Sequence, residues 1–116
     1  MDSPLISILL PTYNGARFLR EAIDSVERQT YPHWELIIID DASRDETPRI
    51  IAEYEQNNAR IRSIRNTENQ KLVTSLNRGI DEARGYYIAR IDDDDIWSDP
   101  EKLAKQIARF SENPNL

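Results

Sequence analysis

The chain has 116 residues, 39% of them hydrophobic, which is the usual size of a single domain with a modest core. It contains no cysteine, which excludes disulfide frameworks, thiolate nucleophiles and thiolate zinc sites, and fits a reducing compartment. Its formal net charge of −6 argues against nucleic acid as a partner, because phosphate backbones are bound by clustered lysine and arginine.

Neither a membrane span nor a histidine-based site is indicated. No run approaches the roughly 18 to 20 apolar residues that cross a bilayer, and the start MDSPLISILL lacks the basic region of a signal peptide. We therefore expect a soluble cytoplasmic chain. The single histidine, His33, lies in the turn-like stretch TYPHW, where we expect a surface loop residue rather than a triad member or a metal ligand.

The first half of the chain alternates strand, helix, strand and helix. Residues 5–10, LISILL, form a continuous apolar run closed by Pro11, and residues 35–39, ELIII, form another, as in strands buried on both faces. Between them, apolar residues three and four positions apart predict a helix: Leu19, Ala22, Ile23 and Val26. Thr47 and Pro48 then predict the cap and first turn of a helix with Ile50, Ile51 and Tyr54 on one face.

The second half of the chain continues this alternation. Residues 61–64 are a short, weak strand candidate, and residues 86–91 form a fourth strand that runs directly into four aspartates. Gly85 ends a third helix whose apolar face consists of Leu72, Val73, Leu76, Ile80 and Ala83. Asp99 and Pro100 begin a last helix whose apolar face consists of Leu103, Ile107 and Phe110.

This order of elements predicts one three-layer α/β domain over residues 1–116. Right-handed crossovers would give a doubly wound, mostly parallel sheet of about four strands with helices on both faces. In such sheets, ligands bind beyond the carboxyl ends of the strands, near the point where the strand order reverses. We therefore expect residues 11–14, 40–43 and 92–95 to meet there.

The strongest chemical signal is a run of four aspartates: Asp92, Asp93, Asp94 and Asp95. Each like-charged pair at about 4 Å costs roughly 4 kcal/mol at an effective dielectric of 20, so a cation should relieve the crowding. Carboxylates suit Mg²⁺ or Mn²⁺, which commonly take one or two protein carboxylates and complete their coordination with substrate phosphates and water. We interpret the run as a diphosphate site rather than a solvated turn, because it follows a buried strand and should face Asp40 and Asp41 at a neighbouring strand end.

Other acidic and phosphate-binding motifs fail on spacing. A calcium loop starting at Asp92 would need glycine at Trp97 and glutamate at Leu103. The three glycines, at positions 15, 79 and 85, form neither a dinucleotide fingerprint nor a P-loop. A receiver-type domain fits poorly, since it requires an acidic pair after the first strand, where residues 11–14 contain no carboxylate.

Three stretches follow one another over nearly the whole chain: PTYNGARFLREAIDSVERQTYPHWELIIIDDASRDET, SLNRGIDEARG and RIDDDDIW. In this order and spacing they resemble the family 2 glycosyltransferases of the GT-A fold. The resemblance implies that the chain is the Rossmann-like, nucleotide-sugar-binding portion of such an enzyme. It also implies that the protein continues into an acceptor-binding part, with the general base beyond Leu116.

The resemblance implies roles for individual residues. Three of them would line the nucleotide pocket: Pro11, Thr12 and Tyr13. Asp41 would accept a hydrogen bond from the N3–H group of uracil or thymine, with helix capping as the alternative role. Asp92 would lie near the ribose, Asp93 would belong to the nucleotide-binding segment, and Asp94 would bind Mn²⁺ or Mg²⁺.

A few positions depart from the family pattern or have two interpretations. Lys71 stands where family members often carry glycine, and we expect it to face solvent rather than phosphate. Asp93 replaces a small residue. Trp97 would either line the donor pocket or pack in the core. Asn77 and Gly79 agree with the pattern, and we interpret both as structural residues that position a helix beside the nucleotide.

The reaction implied is an inverting transfer, in which an acceptor hydroxyl, deprotonated by a base, displaces the nucleotide diphosphate from the sugar. A divalent ion would stabilise the leaving group. The donor would be a UDP- or dTDP-linked sugar, with UDP favoured, and the acceptor a glycan, lipid or protein in glycan or cell-surface polysaccharide synthesis. A catalytically silent sugar-nucleotide-binding module is the alternative. Without a base and an acceptor cleft, this chain alone should bind the donor but not transfer its sugar at an enzymatic rate.

Overall fold

The computed structural model describes residues 3–112, in which strands and helices alternate strictly. This order agrees with the predicted α/β class. The elements are β1 (Ile6–Thr12), α1 (Ala16–Glu27), β2 (Trp34–Asp40), α2 (Thr47–Asn57), β3 (Ile61–Arg65), α3 (Lys71–Glu82), β4 (Tyr87–Arg90) and α4 (Lys102–Glu112). Within residues 3–112, none of the helices has the length and apolar character required to cross a membrane.

The four strands form one parallel sheet in the order β3-β2-β1-β4. β1 is central: it pairs with β2 along its full length and with β4 from Ile6↔Tyr87 to Leu9↔Arg90. The chain passes from β1 to β3 in one direction and returns to β4 on the other side. The strand order therefore reverses between β1 and β4, and their carboxyl ends define the place where open α/β sheets bind ligands.

Helices cover both faces of the sheet, as predicted. The larger core lies on the face covered by α1, α2 and α4, and its fully buried residues include Ile8, Leu10, Leu19, Ile23, Leu36, Ile38 and Leu103. On the opposite face, α3 packs over β1 and β2 through a smaller cluster around Leu9, Ile37 and Ile39. Gly79 permits this close approach, because a Cβ atom at this position would lie 2.9 Å from Cδ1 of Ile39. This contact agrees with the structural role expected for Gly79.

β1 does not end before Pro11, as its sequence suggested, but continues to Thr12. Proline removes a backbone donor, which a central strand normally needs. In β1, however, the N–H of Ile6 bonds to the β2 side at His33, whereas the carbonyl of Leu9 accepts from Ile91 on the β4 side. The missing donor at Pro11 would therefore point toward the β4 side, beyond the end of that strand, so no ladder hydrogen bond is lost.

β4 is not the buried strand that the acidic motif was expected to follow. Tyr87 and Ala89 are half-buried, whereas Ile88 and Arg90 are exposed. This alternation arises because β4 is the last strand of the described sheet, and because α3 packs mainly over β1 and β2. Only the end of the segment becomes fully enclosed, at Ile91, whose side chain is 1% exposed.

The side chain of Thr47 does not cap α2, contrary to the prediction. Its Oγ1 atom is buried without a hydrogen-bond partner among the described residues. Instead, Asp45 accepts hydrogen bonds from the N–H of Thr47 at 2.9 Å and, across the loop, from that of Ala16 at 3.3 Å. One carboxylate thus serves the first turns of both α1 and α2. Burial opposes this arrangement, but the hydrogen bonds outweigh it and lower the pKa of Asp45.

A buried polar cluster joins the strands at the end of the sheet opposite the predicted site. Glu35, 8% exposed, accepts hydrogen bonds from the Ser7 hydroxyl at 2.5 Å and the Arg84 N–H at 2.8 Å, and it pairs with Arg62 at 3.3 Å. Burial by itself raises the pKa of the Glu35 carboxyl. The hydrogen bonds from Ser7 and Arg84 and the charge of Arg62 outweigh burial, so the pKa lies below its usual value.

We expect Glu35→Gln to lower the free energy of unfolding at pH 7 by about 1.5 to 3 kcal/mol, because the ion pair with Arg62 is lost and the remaining hydrogen bonds are no longer charge-assisted. Since folding lowers the pKa of Glu35, its contribution is present above the unfolded pKa of about 4.3 and disappears as the pH falls through the folded pKa. Urea unfolding at pH 7 and pH 3.5 should therefore show the difference between parent and variant shrinking in acid. Glu46→Gln, which alters an exposed ion pair with Arg49, should change stability by less than about 0.5 kcal/mol. An equal Glu35→Gln loss at both pH values would contradict the linkage.

Candidate functional site

Three loops meet at the carboxyl edge of the sheet, as predicted. They follow β1, β2 and β4 and contain residues 13–15, 41–46 and 91–101. The loops after β1 and β2 are joined by hydrogen bonds. The N–H of Asp41 donates to the carbonyl of Thr12 at 2.9 Å, and the N–H of Asn14 donates to Ser43 Oγ at 2.8 Å. The Asn14 side chain adds a third link, because its Oδ1 atom accepts a hydrogen bond from the N–H of Arg44 at 2.8 Å.

Two of the three described non-glycine residues with positive φ lie in these loops, and the third is the first residue of α3. The described non-glycine residues with positive φ are Asn14 at 51°, Ala42 at 64° and Lys71 at 69°. The left-handed region is unfavourable for residues with a side chain, and such conformations persist where the surrounding contacts hold them. Lys71 stands where family members often carry glycine, the residue that adopts positive φ most readily. Its side chain is exposed, as predicted.

A cleft of about 130 Å³ opens between the ends of β1 and β2 and the beginning of α3. It is lined by Pro11, Thr12, Tyr13, Asp41, Leu72 and Ser75. The first four are among the six residues assigned to the nucleotide from the sequence, whereas the other two, Asp92 and Asp93, do not line this cleft. Tyr13 is 51% exposed, so its ring is available as an aromatic wall for a flat ligand.

Asp41 is 7% exposed and holds the start of α3. Its Oδ1 atom accepts hydrogen bonds from Asn66 Nδ2 at 2.9 Å and from the N–H of Gln70 at 2.6 Å, while Oδ2 accepts from the N–H of Lys71 at 3.1 Å. The capping alternative raised for this residue is therefore realised. A carboxylate offers about four lone-pair positions, so one on Oδ2 is left for a further donor in the cleft.

Asn66 was not identified from the sequence. It is 2% exposed, and its amide nitrogen donates both to Asp41 Oδ1 and to Ser75 Oγ, each at 2.9 Å. Its Oδ1 accepts from Arg78. Every polar atom of the side chain is thus used to orient Asp41 and α3. In the sequence, Asn66 is distinguished only as a polar residue directly after a strand. Many loop residues share this position, so it could not be singled out.

Asp40, which was expected with Asp41 to face the acidic motif, forms an ion pair instead. It is 2% exposed and pairs with Arg65 at 2.5 Å, and its Oδ1 accepts from the N–H of Ser43 at 3.0 Å. The expectation that Asp40 and Asp41 lie at a strand end neighbouring the acidic motif was wrong, because β1 separates β2 from β4. The two acidic segments therefore flank β1.

We call residues 92–95 the acidic loop. Its four carboxylates have different environments. Asp92 pairs with Arg90, with Nε at 3.0 Å and Nη2 at 2.9 Å, and Asp95 accepts from the N–H of Ile96 at 2.9 Å. Asp93 accepts from the hydroxyl of Thr12 at 2.7 Å. Asp94 is exposed and makes no hydrogen bond or ion pair with another described side chain.

The donor set fits a hard divalent cation that a ligand helps to hold. Carboxylate oxygens are the preferred ligands of Mg²⁺ and Mn²⁺. Within residues 3–112, however, no three acidic or histidine side chains converge closely enough to hold an ion by themselves. This arrangement matches a site in which one or two carboxylates share the ion with phosphate and water, as Asp94 and the paired Asp92 would allow.

Gly15 lies against the contact between Thr12 and Asp93. A Cβ atom at Gly15 would lie 2.4 Å from Asp93 Oδ2 and 2.5 Å from Thr12 Oγ1. Gly15→Ala should therefore displace one of these side chains and lower the free energy of unfolding by about 1 to 3 kcal/mol. In a double-mutant cycle measured by urea unfolding, Gly15→Ala added to Asp93→Ala should cost much less than in the parent chain. Additive losses would show that the contact with Asp93 is not the source of the strain.

The structure also places three further residues that the sequence analysis discussed. Trp97 is 6% exposed and belongs to the larger core, so it packs rather than lining the cleft. His33 is exposed in a loop, with Nδ1 2.8 Å from the carbonyl of Ser3, as expected for a surface residue. Asn77 is exposed on α3 and is not among the residues that line the cleft.

Comparison with known proteins connects this arrangement to a family. Residues 7–116 match the family described as "Glycosyl transferase family 2". The putative glycosyltransferase EpsE of Bacillus subtilis (strain 168) is 45% identical over 108 residues, which cover 92% of this chain and 38% of EpsE. The chain therefore spans less than half the length of this relative.

Two solved structures have the same architecture. The mannosyltransferase PcManGT from Pyrobaculum calidifontis, in complex with GDP-Man and Mn²⁺, gives a TM-score of 0.88 at 25% identity, covering 96% of this chain and 33% of that one. TarS 1-349 from S. aureus, in complex with UDP-GlcNAc, also gives 0.88 at 25% identity, covering 95% and 32%. These similarities confirm the predicted α/β class and its GT-A character.

Proposed function

The chain belongs to glycosyl transferase family 2, and we propose that it forms the donor-binding part of an inverting, metal-dependent enzyme. In this proposal the donor is a nucleotide diphosphate sugar, with UDP- or dTDP-linked sugars favoured, used in glycan or cell-surface polysaccharide synthesis. The observation that carries the proposal is the cleft containing Asp41 and Tyr13, open at the carboxyl edge of the sheet beside the acidic loop.

The base of the nucleotide would occupy this cleft. The remaining lone pair on Asp41 Oδ2 would accept the N3–H proton of uracil or thymine, and Tyr13 would cover the ring. Pro11 and Thr12 would form the wall beneath it. The UDP-GlcNAc complex of TarS supports a uridine donor for this chain, whereas the GDP-Man complex of PcManGT makes the guanine nucleotide the competitor to test.

The diphosphate would extend from the cleft toward the acidic loop, across the end of β1. Asp94 would be the metal ligand, and Asp92 would lie near the ribose. Asp93 accepts a hydrogen bond from the Thr12 hydroxyl. Its proposed contact with the nucleotide would therefore be made next to that hydroxyl or through it. A bound Mn²⁺ or Mg²⁺ would supply Lewis-acid stabilisation of the diphosphate leaving group. The Mn²⁺ in the PcManGT complex supports this assignment.

The acceptor and the general base would lie in a part of the protein beyond Leu116. Within residues 3–112, the carboxylates at the site already serve as a cap, an ion-pair partner, a hydroxyl acceptor or the proposed metal ligand. The coverage of EpsE, 38% of its length, is consistent with a longer enzyme. Attack by a glycan, lipid or protein hydroxyl on the anomeric carbon would then displace the nucleotide diphosphate with inversion.

The test is calorimetric titration of the chain with UDP, dTDP and GDP, each in Mn²⁺ and in EDTA. We expect UDP and dTDP to bind more tightly than GDP, and all binding of diphosphates to be stronger with Mn²⁺. Uridine without phosphates should bind equally in both buffers, since it does not reach the acidic loop. Absence of UDP binding in Mn²⁺ would reject the proposal, and a preference for GDP would reject the assignment of Asp41 to a pyrimidine.

A further inference from the structure

Two buried polar side chains of the α1 region hold the segment that follows the acidic loop. Ser25, 0% exposed, accepts a hydrogen bond from the N–H of Trp97 at 3.0 Å. Gln29, 7% exposed, donates from Nε2 to the carbonyl of Asp99 at 2.8 Å and accepts at Oε1 from the N–H of Leu103 at 3.0 Å. Residues 97–103 are thus bound to α1 and its C-terminal end at three backbone positions by two side chains.

Both side chains are oriented for these contacts. The Ser25 hydroxyl donates its proton to the carbonyl of Ala22 at 2.7 Å, which leaves its lone pairs for the Trp97 N–H. The Gln29 amide uses its nitrogen and its oxygen on different residues of the same segment, so rotation of the amide would break both contacts. Because polar groups this deeply buried are costly when unpaired, each contact strongly favours one position of the segment.

The acidic loop is short and lies between two fixed points. Before it, Ile91 donates to the carbonyl of Leu9 at 3.0 Å and is 1% exposed. After it, Trp97 is 6% exposed and bound to Ser25. Only residues 92–96 lie between, and the N–H of Asp95 bonds to the carbonyl of Asp92 at 3.0 Å within them. A shift of the Trp97 anchor would therefore move the carboxylates of Asp92 and Asp94.

We propose that Ser25 and Gln29 are positioning residues for the metal- and diphosphate-binding end of the site. They act through residues 97–103 and touch neither metal nor nucleotide. This inference rests on the proposed function of the acidic loop. Ligand-holding groups must be kept within about 0.5 Å of their productive positions, so loosening one anchor of a short loop should weaken diphosphate binding without altering the base cleft.

The test compares Ser25→Ala and Gln29→Met with the parent chain. Methionine has a similar length and volume but forms neither amide contact. Glu35→Gln is the matched control, because it removes a buried charge and its ion pair with Arg62 at the opposite end of the sheet. The quantity measured is the ratio of UDP affinity in Mn²⁺ to that in EDTA, together with uridine affinity. We expect the ratio to fall by roughly tenfold in both variants, with uridine affinity within twofold of the parent, and no change of the ratio in the control.

A second measurement needs no ligand. In backbone NMR spectra of the chain, Ser25→Ala and Gln29→Met should shift or broaden the amide signals of residues 92–96 and accelerate hydrogen exchange at Trp97, while the signals of Asp41 and Lys71 stay in place. A proportional loss of uridine and UDP affinity, or an unchanged Mn²⁺ ratio, would overturn the inference. If the parent chain does not bind UDP in Mn²⁺, the proposed function fails. Unchanged amide signals in residues 92–96 would then independently overturn the positioning role.

Discussion

Asp94→Ala is expected to remove the Mn²⁺ dependence of UDP binding and to lower UDP affinity in Mn²⁺ by roughly tenfold to a hundredfold. Loss of groups that only support metal ligands typically costs this much, so loss of a direct ligand should cost at least as much. The reason lies in the loop itself: among its four carboxylates, Asp94 is the one without a described side-chain or backbone partner, so an ion can take it without breaking an existing contact.

The measurement is calorimetric titration with UDP in Mn²⁺ and in EDTA. Asp81→Ala is the control, since it removes the same charge from an exposed position on α3. It should leave both affinities unchanged and so exclude a general electrostatic effect. Equal UDP affinity of the parent chain in Mn²⁺ and in EDTA would remove the metal role of the acidic loop altogether.

Asp41→Asn is expected to weaken UDP binding by about 1.5 to 3 kcal/mol, roughly 10- to 150-fold. Alanine would be a poor choice at this position, because it would also remove the acceptor for Asn66 and for the N–H of Gln70. Asparagine can keep its oxygen in the place of Oδ1. Its amide nitrogen would then replace Oδ2 and face two donors, the N–H of Lys71 and the N3–H of the base.

CDP serves as the matched ligand for this variant, because N3 of cytosine carries no proton and accepts hydrogen bonds. The ratio of UDP to CDP affinity should therefore fall in Asp41→Asn, while Mn²⁺ dependence is retained. Thermal unfolding measured in parallel reports the contribution of Asp41 to holding α3. If UDP and CDP lost the same affinity, the residue would act only as the cap of that helix.

The elements of the fold could be predicted because their signals are local. The apolar run before Pro11, the run before Asp40 and the helical spacing of residues 19–26 each reflect burial of one segment against its neighbours. Strand order could not be predicted in this way, because the sequence of β1 does not indicate which strands lie beside it. The error about β4 has the same origin: Ile88 looks like a core residue in a short window, but its exposure depends on which strand α3 covers.

The site was predictable to the level of its segments. Parallel strands place their carboxyl ends at one edge, so the loops after β1, β2 and β4 were expected at that edge, although the sequence did not show that β1 separates Asp41 from the acidic loop. The supporting residues were not predictable, because Asn66, Ser25 and Gln29 are common polar residues whose significance comes from burial and from partners distant in the chain. The prediction that Thr47 caps α2 was wrong for a different reason. It has a suitable residue type for a cap, but it lies inside α2, where the N–H groups of Arg49 and Ile50 already donate to the carbonyl of Glu46.

The central position of β1 affects how the nascent chain can acquire this structure. Thr12 and its partner Asp93 are 81 residues apart, so at synthesis rates of ~5 to 20 residues per second the first strand waits roughly 4 to 16 s for the segment that closes its second edge. During that interval, one side of an almost wholly apolar strand has no partner, and unpaired apolar edges promote aggregation. A chain that ends before Tyr87 would therefore contain the segments of the base cleft but leave one edge of β1 unpaired, so we expect it to aggregate rather than to fold as a smaller binding domain.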